Sequence, residues 1–314
     1  MRIRLLAAVV PVAAAAVLVS ACSSSGSAAS GSSTAKVSPG AIVAIGAENE
    51  YSDVIAQVGG KYVSATAIMS NPNTDPHTFE ASAQVAQAVS SAQLIVQNGV
   101  GYDTFMNTIE NAAPSGSRKV IDVQTLLGLP NSTPNPHLWY KPGTMTAVAD
   151  AVATDLAAIQ PAHAAYFKAN AATFTSSLAA WTKAMAAFKA AYPNVPVATT
   201  EPVADYTLQA IGAENMTPWA LQADIMNGTD PSAQDVATQR ALFTGHKVKV
   251  FVYNQQVTDS LTESFIQLAQ QNGIPVVGVY ETMPTPGYDY QSWMLAEVNA
   301  LTKAVTNKIS TEHL

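Results

Sequence analysis

From Ala41 onward the chain alternates short apolar runs with stretches whose apolar residues recur every three or four positions. The first kind of run reads as a buried strand and the second as a helix with one face turned to a core. In the first half the strand-like runs are AIVAIG (Ala41 to Gly46), VSATAIM (Val63 to Met69), QLIVQNG (Gln93 to Gly99) and KVIDV (Lys119 to Val123). Between them lie the helical patterns YSDVIAQVGG, ASAQVAQAVSSA and GYDTFMNTIENAA. Such alternation is the signature of βα units and a mainly parallel sheet.

The second half repeats the plan. VPVATT (Val195 to Thr200), KVKVFVYN (Lys247 to Asn254) and IPVVGVY (Ile274 to Tyr280) read as strands, with LQADIM near Leu221 as a further candidate. LTESFIQLAQQNG and QSWMLAEVNALTKAVTNKI read as helices. Between the halves, residues His163 to Tyr192 contain no glycine or proline and are rich in alanine, a strong helix former. Tyr166, Phe174, Leu178, Trp181, Met185 and Phe188 recur there at helical spacing. One continuous helix of that length would run about 45 Å, enough to pass from one lobe to the other. The expected fold is therefore α/β, two lobes with mainly parallel sheets joined by one long helix. The lobes fall at 41–160 and 193–314, with the linking helix at 161–192. A stiff connection of this kind allows only a modest closure.

The N-terminus has a different character. Arg2 and Arg4 precede the apolar run LLAAVVPVAAAAVLV, which ends in V-S-A-C at Val19 to Cys22. A basic start, a short apolar stretch and small residues before a cleavage point describe an export signal over 1–21. The run falls short of the roughly 20 residues that a spanning helix needs. V-S-A-C resembles the bacterial lipobox, which implies a lipid on Cys22, and Cys22 is the only cysteine of the chain, so no disulfide can form. Residues 22–40 are rich in Ser, Gly and Ala and read as a disordered tether. The chain is thus expected outside the cytoplasm, held at the outer face of the cell membrane.

Composition narrows the function. Charged residues make up 12% of the 314 positions and the net charge is −7, so nothing draws the protein to nucleic acid. Ligands of open α/β sheets bind beyond the C-terminal ends of the strands, and the polar residues there are few. His77 follows VSATAIM, His137 lies in NSTPNPHLWY, Glu201 directly follows VPVATT and Glu281 directly follows IPVVGVY. Two come from each half. D-P-H at Asp75 to His77 and N-P-H at Asn135 to His137 each set a histidine behind a proline, which stiffens the approach. Two imidazoles and two carboxylates suit a divalent first-row metal. Clustered C-x-x-C or H-x-x-x-H pairs of a structural zinc module are absent from the sequence.

These same segments resemble the cluster A-I, or cluster 9, solute-binding proteins of bacterial zinc and manganese ABC transporters. TDPHTFEASAQVAQAVSSAQLIVQNGVGYDTFM is similar to that family's first ligand segment and NPHLWYKPGTM to its second. VATTEPVADYTLQAIG is similar to the third, and NGIPVVGVYETM with YDYQSWMLAEVNAL to the last. The resemblance implies that His77, His137, Glu201 and Glu281 are the metal ligands. It implies, too, that a separate membrane permease receives the ion. Glutamate at the third position points toward manganese, whereas the fourth position in many manganese binders is aspartate rather than Glu281. The His-rich loop of many zinc-uptake members is missing. The implied cargo is one Mn2+ or Zn2+, with Fe2+ behind both.

Around these ligands, Asp75 and Glu80 are candidates to orient His77, Trp139 to shield the site and Asn254 to hydrogen-bond a ligand carboxylate. His163, His246 and His313 read as surface residues. Capture requires only a monomer and no catalysis. Two rival readings remain at this stage: an exported zinc metalloenzyme with an activated water, and a binding protein for a small organic solute.

Overall fold

Each apolar run directs the backbone into a parallel sheet, and the computed structural model describes residues 38–73 and 76–314 of the chain. The first lobe comprises β1 (Ile42–Glu48), α1 (Asn49–Gly59), β2 (Val63–Met69), α2 (Ala83–Ser91), β3 (Leu94–Gln97), α3 (Thr104–Ala112), β4 (Lys119–Asp122), the single turn α4 (Val123–Leu126) and α5 (Thr144–Ile159). Two helices follow, α6 (Ala164–Ser177) and α7 (Ala179–Ala191). The second lobe comprises β5 (Pro196–Thr199), α8 (Asp205–Ala210), β6 (Glu214–Asn215), α9 (Trp219–Met226), α10 (Ala233–Thr244), β7 (Val250–Asn254), α11 (Ser260–Gln271), β8 (Val276–Val279) and α12 (Tyr290–Asn307).

The two sheets have the same plan. The first runs β2-β1-β3-β4 and the second β6-β5-β7-β8, and every pairing within them is parallel. Strands covered by helices on both faces carry continuous apolar runs rather than alternation. Accordingly β3, β7 and β8 are buried throughout, whereas the edge strand β2 is half-exposed along most of its length. In each sheet the strand order reverses between the first and third strands of its lobe, and the crevice beyond the strand ends at such a point is where ligands bind. The expected signal peptide (1–21), the expected lipidation site Cys22 and nearly all of the expected tether lie outside the described residues, as does Asp75. Among the described residues no helix is long and apolar enough to cross a membrane.

The linking helix departs from the expected single rod. The helix is interrupted at Leu178, whose N–H bonds to the carbonyl of Thr175 at 3.3 Å, one residue closer than in an α-helix. The cause is local: the hydroxyl of Ser177 donates to the carbonyl of Phe174 at 2.7 Å, the acceptor that the Leu178 N–H would otherwise use. Ser176 and Thr173 bond back to Ala172 and Ala169 in the same way, a habit of Ser and Thr that bends helices. The break separates two partnerships, since α6 packs on α1 and α5 of the first lobe and α7 packs on α12 of the second.

A second correction concerns LQADIM, which forms part of helix α9 rather than a strand. Its buried residues Leu221, Gln222, Ile225 and Met226 repeat at the helical period. The strand that fills the sheet edge is instead β6, two polar residues paired with Pro196 and Val197.

Candidate metal centre

Three ligand-type side chains from both lobes meet at one carboxylate oxygen. Nε2 of His77 lies 3.2 Å and Nε2 of His137 lies 3.3 Å from Oε2 of Glu281. Ligand atoms of the three residues all lie within 4.8 Å of one another. Glu281 and His137 are completely buried, while the His77 side chain keeps 25% of its surface exposed.

Each of them is held by its own local structure. His77 sits in a 3-10 turn, Pro76–Thr78, beyond the end of β2. His137 follows Pro136, and Asn135 fixes it twice, through Oδ1 to the His137 backbone N–H at 3.0 Å and to ring Nδ1 at 2.8 Å. The second contact sets Nδ1 as the protonated nitrogen and leaves Nε2 as the electron-pair donor facing the cleft, the orientation that metal-binding histidines require. Asn135 is anchored in turn to the carbonyl of Pro202 in the second lobe at 2.7 Å. Glu281 follows β8, and its backbone N–H and that of Thr282 both donate to Oε1 of Gln256, at 2.6 and 2.7 Å.

Glu201 stands apart from the three-residue convergence but is tied to it. The Asn254 amide donates to Oε1 of Glu281 at 2.5 Å and to Oε1 of Glu201 at 3.2 Å. One amide nitrogen thus holds both carboxylates on the second-lobe wall. Trp139, wholly buried, sets its ring edge-on to those of His137 and Tyr102 at centroid distances of 5.4 and 5.1 Å, an apolar backing behind the cleft. Glu80 is exposed on the loop before α2.

Tyr102 and the turn of Asn98, Gly99 and Asp103, none of them picked out as a site residue from the sequence, shape the site. Tyr102 donates its hydroxyl to Oε2 of Glu281 at 2.8 Å, and its ring stands against His77 and His137. It is aimed by a tight turn after β3, in which the Asp103 carboxylate accepts from the N–H groups of Asn98 and Gly99 at 2.6 and 2.9 Å. Gly99 has φ +78, and a Cβ there would lie 2.7 Å from Gln124 Cβ, so the turn admits no side chain at that position. Asn98 bonds the Tyr51 hydroxyl at 2.7 Å and the carbonyl of Pro136 at 2.8 Å, which fixes the loop carrying His137. The N-G-x-G-Y sequence at Asn98 to Tyr102 was the available signal.

Electrostatics favour an acceptor at the centre. Burial alone would raise Glu281, but the hydrogen bonds and charge of His137 and His77 outweigh it and hold the carboxyl well below its ordinary range. Burial holds His137 below the usual imidazole value, against the pull of Glu281. Behind the site, Glu48 and Glu50 are buried with no hydrogen-bond partner for their carboxyl oxygens among the described residues. Burial, foremost, pushes both well above the carboxylate range, and neighbouring acids push the same way.

The fold and the cleft together define a class: a two-lobed α/β binding protein whose polar side chains converge at the carboxyl ends of two parallel sheets. The chain belongs to the family described as ZnuA, zinc-uptake complex component A, periplasmic, whose model matches residues 47–304. The manganese-binding lipoprotein MntA of Bacillus subtilis (strain 168) is 23% identical over 126 residues, which is 38% of this chain and 41% of that one. The match therefore spans less than half the length of that relative. Among solved structures, the periplasmic zinc-binding protein TroA from Treponema pallidum superposes with a TM-score of 0.71 at 18% identity, covering 87% of this chain and 100% of the other. FpvC from Pseudomonas aeruginosa in complex with Mn2+ gives 0.69 at 18% identity, covering 86% and 100%. At such identities the structural likeness is one of fold.

Proposed function

We propose that this chain captures one divalent transition-metal ion, Mn2+ or Zn2+, with His77, His137, Glu201 and Glu281 and delivers it to the membrane permease of an ABC transporter. The observation that carries the reading is the approach of two imidazole Nε2 atoms to one buried, ionised carboxylate oxygen across the cleft. Two neutral nitrogens and a carboxylate oxygen form a donor set suited to borderline first-row ions. A cation between them displaces the Nε2 protons that the metal-free imidazoles share with the carboxylate, and Glu201, tethered to Glu281 through Asn254, is the fourth ligand of this reading.

The names of the relatives support the cargo class: the family is one of zinc uptake, MntA binds manganese and the FpvC structure holds Mn2+. In this reading two carboxylates beside two histidines favour manganese somewhat over zinc, with Fe2+ behind both, since oxygen donors widen a nitrogen site toward manganese. In our reading the protein is a transport component rather than an enzyme, works as a monomer, and is tethered outside the membrane by a lipid on Cys22 after removal of 1–21.

A double variant, His77→Ala with His137→Ala, tests this reading. Equilibrium titration of the chelator-stripped chain with Mn2+ and Zn2+ should show tight binding in the wild type and at least about a hundredfold weaker binding in the variant. Unchanged binding in the variant would move the site elsewhere, and binding of an organic solute instead of either ion would restore the rival reading.

A further inference from the structure

Away from the ligands, three groups from three segments form a buried chain whose protons can be counted. The Tyr140 hydroxyl lies 2.8 Å from the carbonyl oxygen of Tyr280 and 2.7 Å from Oε1 of Glu297. Tyr140 comes three residues after His137, and Tyr280 immediately precedes Glu281. Glu297 lies on α12, which begins with a capping box in which Asp289 accepts from the Ser292 N–H at 2.9 Å.

A phenol has one proton. If it points at the Tyr280 carbonyl, which can only accept, the short contact with Glu297 must be bridged by a proton belonging to Glu297. If it points at an ionised Glu297, two oxygen atoms 2.8 Å apart, those of Tyr140 and Tyr280, are left with nothing between them. A protonated Glu297 satisfies both contacts: its carboxyl donates to Tyr140, which donates to Tyr280 and accepts weakly from the Tyr280 N–H at 3.4 Å. Trp293 Nε1 donates to the same Oε1 at 2.8 Å.

We propose that Glu297, as a neutral carboxylic acid, is a positioning residue for the metal centre, fixing the loop of His137 against the strand end of Glu281 through Tyr140. This rests on the metal-capture reading and adds its regulation: when Glu297 ionises, the relay opens and the two ligands lose their common anchor. The same helix clamps the His137 loop a second time, through the Tyr290 hydroxyl and the carbonyl of Trp139 at 2.6 Å, so ionisation weakens the site without dismantling it.

The surroundings favour the neutral form. Burial pushes Glu297 up to about 8, against its hydrogen bonds with Tyr140, Trp293 and the Tyr280 backbone. The titratable groups that act on this chain are Tyr140, Tyr280 and Tyr290, with Glu50 from α1 acting on Tyr140 and Tyr290. Also on α1, Asp53 accepts from the Tyr290 N–H at 3.0 Å. From α7, the neighbours in the core are apolar, among them Trp181, which meets Tyr290; β7 and β8 contribute the buried Val252, Val277 and Val279. Among the described residues no cation lies within ion-pair distance of Glu297.

The test is Mn2+ affinity of the full mature chain at pH 7 and pH 9.5, wild type against Glu297→Gln and Glu297→Ala, with a chelator competitor so that metal hydrolysis cancels in the ratio. Glutamine keeps a donor and cannot ionise. The ratio of affinities, Glu297→Gln to wild type, should be near one at pH 7 and rise about tenfold by pH 9.5, while Glu297→Ala binds more weakly at both. A ratio that stays flat overturns the proposal, because a purely structural role has no such pH profile. No Mn2+ binding by the wild type at pH 7 overturns the capture reading instead. Should Glu297→Gln fail to fold, infrared titration of the wild type decides. A carboxylic-acid carbonyl band that fades in step with the affinity supports the relay, and an affinity that holds while the band fades overturns it.

Discussion

Tyr102 and Glu281, one from each lobe, are joined by a hydrogen bond of 2.8 Å from the phenol to Oε2. That is the oxygen both histidines approach. The phenol therefore helps to set which lone pair of Glu281 faces the imidazoles.

Tyr102→Phe removes that donor and keeps the ring that packs on both histidines. We expect a loss of about tenfold in affinity for Mn2+, smaller than the loss on removing either histidine, with an unchanged fold by circular dichroism. An affinity equal to the wild type would show that Glu281 is oriented without the phenol.

Asn254 carries a heavier duty, since one amide serves two carboxylates. Asn254→Ala leaves Oε1 of the fully buried Glu281 without that donor, which costs on the order of 1–3 kcal/mol. Both stability and metal affinity should fall, and addition of metal should recover part of the stability by mass action. Chemical denaturation with and without Mn2+ measures both effects. A variant as stable as the wild type would mean that other donors hold Glu281.

Metal affinity should fall as pH drops through the imidazole range, because histidine coordinates only when neutral and a proton competes with the ion. Burial lowers His137, so its share of the loss comes at more acidic pH than for a free imidazole. Titration between pH 5 and 8 with a competing chelator should give a declining affinity on the acid side. An affinity constant over that span would be inconsistent with histidine ligands.

Stability of the metal-stripped chain should run the other way. Burial raises Asp53, Asp103 and Asp205 each to about 6 and Glu297 to about 8. Each binds its proton more tightly in the folded state, so its contribution is complete below the ordinary carboxylate range, near 4, and is lost as pH rises through the raised value. Glu281, held low, contributes above the ordinary range and loses its contribution only in stronger acid. His137, lowered by burial, opposes the aspartates over the imidazole range, one group against several. The stripped chain should melt a few degrees higher at pH 5 than at pH 7.5. Calorimetry showing a steady rise in melting temperature from pH 5 to 7.5 would contradict the raised values of those acids.

Much of this was legible in the sequence because burial writes a clear period. The runs at β1, β3, β5, β7 and β8 are readable as strands since parallel strands between helix layers are apolar throughout, and the edge strands β2 and β4 keep short apolar runs although they are partly exposed. Helix α5 carries an equally clear signal: Met145, Val148, Ala149, Val152, Ala153 and Leu156, all buried, follow the 3.6 period. β6 leaves no signal, being two polar residues at a sheet edge. The break at Leu178 depends on which carbonyl the Ser177 hydroxyl chooses, a choice that periodicity does not encode. At the site, Glu281 directly follows a strand and His77 and His137 lie behind prolines in the loops beyond β2 and α4, and the structure brings the three together. Tyr102, Asn98 and Glu297 act through contacts between segments far apart in sequence, which a one-dimensional reading does not supply.

The central claim is tested most directly by stoichiometric metal titration of the chain beginning after Cys22, stripped with chelator, in parallel with Glu201→Ala. The account predicts one tightly bound Mn2+ or Zn2+ per chain in the wild type and a large loss of affinity in the variant. No tightly bound ion in the wild type would contradict metal capture at this cleft, and full binding in Glu201→Ala would contradict the four-residue ligand set.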